Sequence, residues 1–112
     1  MIDLVVRHII PTTMALLPSA MDTPRARAQM VAVGLQESKF LERQQVLKTG
    51  ARTGPARGLW QFERAGGTRG VMTHDRSRAL AERVLVELRY KHLVGNFREV
   101  HYTLRDNDVL AC

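Results

Sequence analysis

The chain has 112 residues, 45% of them hydrophobic and 25% charged, enough apolar material for one globular domain over residues 1–112 and too balanced for global disorder. Its formal net charge of +6 and pI of about 10.4 favour anionic partners. The basic residues (Arg7, Arg25, Arg27, Arg52, Arg57, Arg64, Arg69, Arg76 and Arg78 among them) are scattered without a compact block, so a solvated basic surface is expected and no specific nucleic-acid groove.

At the N-terminus, apolar residues at 2, 5, 6, 9 and 10 have helical spacing. Asp3, Arg7 and His8 interrupt the stretch, and neither a basic leader nor a small-residue cleavage site is present, so no signal peptide is expected. Pro11 is expected to end this helix, with Thr12 capping a short second one through Leu17. Asp22-Thr23-Pro24 is a strong start signal, an oxygen-bearing cap followed by proline in the first turn. The helix it opens is predicted to run from about Pro24 to Ser38. On it Ala26, Met30, Val33, Gly34 and Glu37 share one face, and from Met30 onward it is apolar nearly all round. A central buried helix is therefore expected, with Glu37 on its core-facing side.

Residues 48–58 are loop material, punctuated by Gly50, Gly54, Pro55 and Gly58. Trp60 to Arg64 forms a short segment ended by Gly66-Gly67 and Gly70, readable as a strand or as a first helical turn. Asp75 or Ser77 can start a further helix with Leu80, Val84, Leu85 and Leu88 on its core face, ending near Val94 before Gly95. Asn107-Asp108 is one more helix start, but only four residues follow Asp108. A helix that short is unstable alone, so either a frayed terminus or an incomplete form of a longer chain is expected. The fold class is mostly α. No apolar stretch approaches the ~20 residues that a membrane span requires.

Glu37 is the residue with a chemical reading. A glycosidic bond needs a proton delivered to its leaving oxygen, and a carboxylic acid supplies it. Glu42, Glu63 and Asp75 are candidates for a second carboxylate, but none is placed as suggestively as Glu37. A single-acid mechanism, in which the substrate supplies its own nucleophile, fits better. The rival reading of Glu37 is an ion pair with one of fourteen arginines.

Trp60 and Phe62 can stack on sugar rings or simply fill the core. If the segment is extended, both face the core while Gln61 faces a cleft, which makes Gln61 the best functional candidate of the three. His8, His74, His92 and His101 lack metal-ligand spacing, so no metal is expected. Cys112, the only cysteine, has no partner for a disulfide and no resolving thiol, and no phosphate-cradling glycine motif is present.

The run Gly34-Leu35-Gln36-Glu37-Ser38-Lys39-Phe40, followed by Gly54-Pro55-Ala56-Arg57-Gly58-Leu59-Trp60-Gln61-Phe62, resembles the first two motifs of the soluble lytic transglycosylases and goose-type lysozymes. That group pairs Glu-Ser and a following Phe with a Gly-Leu-Met-Gln turn about twenty residues on; here Trp60 stands where methionine is usual. The match covers roughly residues 22–72 and is nearest to small phage and prophage proteins. The group's third motif, Ala-Tyr-Asn on a later helix, has no counterpart, since Tyr90 and Tyr102 are the only tyrosines.

The resemblance implies a lysozyme-like helical domain that cleaves the peptidoglycan glycan strand between N-acetylmuramic acid and N-acetylglucosamine. It gives Glu37 the acid/base role, and Ser38 and Gln61, with Trp60 and Gly58 of the same turn, the substrate-binding positions. No cofactor is implied. The protein would be made in the bacterial cytoplasm and be virion-associated or reach the wall by another route. A non-catalytic virion structural or wall-binding protein on the same fold is the alternative.

Overall fold

A computed structural model describes residues 1–112. The chain is mostly helical, with seven short α-helices joined by π and 3-10 turns and no regular strand. The first run is helical throughout: α1 (Ile2–Leu4), a π turn (Val5–Ile9) and α2 (Ile10–Leu16). Pro11 therefore does not end the helix as expected. Its ring needs room from the carbonyl four residues back, and the helix widens just ahead of it, Ile10 N–H reaching back five residues to the Val5 carbonyl. The stripe Val5, Ile9, Ile10 and Met14 is buried along the inner side of this run.

α3 (Pro24–Ser38) has the predicted bounds, and the reasons are local. The Thr23 side chain accepts a hydrogen bond from Ala26 N–H at 3.1 Å, and Pro24 occupies the first turn. At the other end Lys39 (φ 53°) and Phe40 (φ 56°) both adopt the left-handed conformation and turn the chain back sharply. The expected burial is corrected. Gly34 is the only buried residue of α3, while Val33 and Leu35 are 42% and 40% exposed and Glu37 is exposed too. The helix lies on the surface because the apolar ring it needs comes from outside it: Phe40 folds back over Gly34 and is itself fully buried.

The loop after α3 makes only isolated antiparallel bridges, Gln44 with Arg57 and Arg57 with Phe62. A π turn (Arg64–Thr68) leads into α4 (Arg69–Thr73), then α5 (Arg78–Glu87), α6 (Phe97–Thr103) and α7 (Asp108–Ala111). α5 starts after Ser77 and stops well before Val94, because Arg89 takes φ 67° and only a 3-10 turn (Lys91–Leu93) follows. Leu85 is the fully buried member of its core face.

The main core joins the stripe of the N-terminal helices to Phe40, Leu59, Trp60, Leu104 and Ala111, and a second cluster forms around Met72, Leu85 and Val100. α7 is docked, not frayed. Asn107 caps it by accepting from Leu110 N–H at 3.0 Å, Asp108 makes a two-pronged ion pair with Arg43 at 2.8 Å, and the Thr13 hydroxyl donates to the Val109 carbonyl. These tertiary contacts replace the length that the helix lacks. No helix is long and apolar enough to cross a membrane.

Candidate active site

The C-terminal turn of α3 and the segment Arg57–Phe62 come together through one side chain. The Ser38 hydroxyl donates to the Leu59 carbonyl at 2.5 Å and accepts from Phe40 N–H at 3.1 Å. It thus clamps the helix end to the turn and supports the reversal at Lys39-Phe40. Adjacent in sequence to Ser38, Glu37 is held where the helix meets the turn.

The turn itself is neither a strand nor a helix start. Arg57 and Phe62 exchange two backbone hydrogen bonds, at 3.0 and 2.9 Å, around the four-residue loop Gly58–Gln61. Gly58 (φ 76°) and Gln61 (φ 53°) supply the left-handed positions such a tight loop demands. Gly58 also has to be glycine for packing, since a Cβ there would stand 2.8 Å from that of Ala111 on α7 and 3.3 Å from the Leu104 carbonyl.

Trp60 is 7% exposed, packs edge-on against Phe40 with ring centroids 5.6 Å apart, and donates its indole N–H to the Met30 carbonyl at 2.9 Å. It is chiefly a core residue that fastens the turn to α3, and only its rim reaches the cleft. The Gln61 amide donates to the carbonyls of Gly58 (2.9 Å) and Glu42 (3.3 Å). Two carbonyl partners fix which end of the amide is nitrogen and leave Oε1 as its uncommitted acceptor.

A cleft of about 570 Å³ runs along this junction. Glu37, Gln61 and the rims of Trp60 and Phe62 line it, with Gln29, Met30 and Val33 of α3 on one side and Glu63, Gly66 and Gly67 on the other. The structure therefore brings Glu37, Trp60 and Gln61 together on one surface. It does not bring Ser38 or Gly58 there: Ser38 is spent on backbone groups behind the cleft, and Gly58 faces α7.

Two expectations about Glu37 are corrected. It is not core-facing, and it makes no ion pair despite the fourteen arginines. The cause is the same for both: the inward stripe of α3 runs through Met30, Val31, Gly34 and Ser38, and Glu37 stands at its edge beside Val33, on the cleft. Glu63 is the residue that sequence reasoning undervalued. It shares the cleft with Glu37, whereas Glu42 faces Arg52 at 3.5 Å and Asp75 lies in the turn before α5. Its position two residues after Gln61 was the available signal. A second, apolar cavity of about 240 Å³ lies between the two core clusters, and Phe62 and Cys112 line both spaces. Burial pushes the Cys112 thiol up to about 11, the proton-holding state of an inert packed cysteine.

The chain matches no protein-family model, no curated protein and no solved structure, so what the cleft can do rests on its own geometry.

Proposed function

We propose that the protein cleaves the peptidoglycan glycan strand, in the manner of a phage or prophage lytic transglycosylase or lysozyme on a lysozyme-like helical domain. The observation that carries the reading is the placement of an unpaired carboxylate, Glu37, on the same cleft as the uncommitted Gln61 acceptor and an aromatic rim.

In this reading a glycan strand lies along the cleft with its rings against Trp60 and Phe62. Gln61 Oε1 accepts from an acetamido N–H or a sugar hydroxyl. The sugar covers Glu37 and excludes water from the glycosidic bond beside it. Glu37 gives its proton to the glycosidic oxygen as the C1–O bond breaks. It then takes the proton of the muramoyl 6-hydroxyl, whose oxygen closes on C1 to give a 1,6-anhydro ring. No other nucleophile is required.

Muropeptide release from purified cell wall tests the reading, with an expected loss on the order of 10²-fold or more for Glu37→Gln. Release that survives that substitution removes Glu37 from the mechanism. Mass spectrometry of the products separates the two chemistries. Anhydro ends that persist in Glu63→Gln fit the one-acid route, whereas reducing ends that vanish in Glu63→Gln identify Glu63 as the second carboxylate of a hydrolase.

The exposure of Glu37 in the free protein favours a second reading, a virion structural or wall-binding protein on the same fold. Retention of the chain on purified wall, with no soluble product from either wild type or Glu37→Gln, distinguishes it.

A further inference from the structure

His101 lies on α6, 1% exposed, and takes no part in lining the cleft. Its two ring nitrogens nevertheless hold two loops that flank the cleft-lining turns. Nε2 lies 2.8 Å from the Pro55 carbonyl, in the strand of loop that leads into the Gly58–Gln61 turn. Nδ1 lies 2.8 Å from the Thr68 hydroxyl, at the end of the π turn that carries Gly66 and Gly67 along the opposite side.

The chemistry of the partners decides the tautomer. A carbonyl only accepts, so Nε2 bears the hydrogen and Nδ1 accepts from the Thr68 hydroxyl. Both nitrogens are satisfied in the neutral ring. A proton on Nδ1 reverses that bond: the Thr68 hydroxyl oxygen must then accept, and its own hydrogen must find another partner. Around the ring, the charged groups are Arg57 from the Pro55 side and Arg64 from the π turn, with the Tyr102 ring beside it and no carboxylate bonded to it. The π turn has independent means of order, since the Glu63 carbonyl accepts from Gly67 N–H at 3.0 Å and Thr68 N–H at 2.8 Å. It also follows the Gln61 turn directly in the chain and packs on Phe62, and the imidazole adds a brace from its Thr68 end to the Pro55 loop.

We propose that His101 is a positioning residue for the cleft: its neutral imidazole ties the Pro55 loop, which leads into the Gln61 turn, to the Arg64–Thr68 turn that carries Gly66 and Gly67, and protonation, which reverses the Thr68 bond and sets a charge beside Arg57 and Arg64, loosens that tie. Its link to catalysis rests on the reading of the cleft as a glycan site; the tie itself does not.

The test is a pH titration of the full-length chain followed by nuclear magnetic resonance. The backbone amides of Gln61, Gly66 and Gly67 are expected to shift together, with the same midpoint as the His101 ring. In His101→Gln, which can still donate to Pro55 and cannot titrate in this range, that shared transition disappears. In His101→Phe, hydrogen exchange at Gly67 and Thr68 is expected to speed up roughly tenfold at neutral pH, as for loss of one buried hydrogen bond.

A His101 titration that leaves those three amides unmoved overturns the proposal, and so does the same transition persisting in His101→Gln. The wild-type titration decides the matter even if His101→Phe does not fold. Muropeptide release recorded on the same samples should lose its acid limb in His101→Gln. If wild type releases nothing, the glycan reading fails while the amide shifts still decide the tie.

Discussion

At the scale of single residues, the run Gly34 to Phe40 is explained by space and by one hydroxyl. Gly34 leaves the hollow that the Phe40 ring occupies, and a Cβ built on Gly34 falls inside that ring. Phe40 is fully buried, so the ring has no room to retreat. Gly34→Ala should therefore cost about 1–3 kcal/mol, the usual range for overpacking a filled core, read as a lowered midpoint in urea unfolding. An unchanged midpoint would mean that Phe40 is not seated on α3. Ser38 works by a different cause, holding one backbone acceptor and one backbone donor that would otherwise go unpaired. The Glu37-Ser38 pair thus divides its labour: Ser38 builds the junction, and Glu37 is what the junction presents.

At the scale of elements, α7 shows how a helix too short to form alone is held. Arg43 and Asp108 meet through two charge-assisted hydrogen bonds, and the Asp108 carboxylate beside Arg43 raises the guanidinium above its usual range. Arg43 is also the residue whose carbonyl accepts from Gly58 N–H at 2.8 Å, so the ion pair and the cleft turn share a support. Asp108→Asn should cost about 1 kcal/mol, discounted for the partial exposure of both side chains, and the loss should shrink in high salt. Equal stability of the two proteins at low salt would show that α7 is held by Thr13 and its apolar contacts alone.

At the scale of the whole molecule, the buried imidazole makes stability depend on pH. Burial is the main force lowering the His101 pKa, with Arg57 and Arg64 adding to it and the Pro55 hydrogen bond opposing it. A histidine lowered in the folded state binds fewer protons there than in the unfolded chain. Stability is thus fully present above the unfolded value of about 6.5 and falls as pH drops below it towards the folded value. Thermal unfolding of the wild type should show this loss, and His101→Gln should show less of it. A melting temperature that is flat from pH 7 to pH 5 in the wild type would contradict the assignment of a neutral buried ring.

The sequence by itself determined what depends on nearest neighbours. Thr23-Pro24 opened α3, Asn107 opened α7, and Gly58 marked a turn, because caps and turns are satisfied within a few residues. The mostly helical class was legible for the same reason. Tertiary structure alone decided which way α3 faces, since the apolar residues from Met30 onward gave no preferred side until Phe40 filled the space above Gly34. It also decided that Pro11 lies within a helix, that Ser38 stands behind the cleft while Glu63 lines it, and that His101 joins two loops. Each of these depends on partners far away in sequence, and a hydrogen bond or a packed ring across that distance leaves no local period by which to read it.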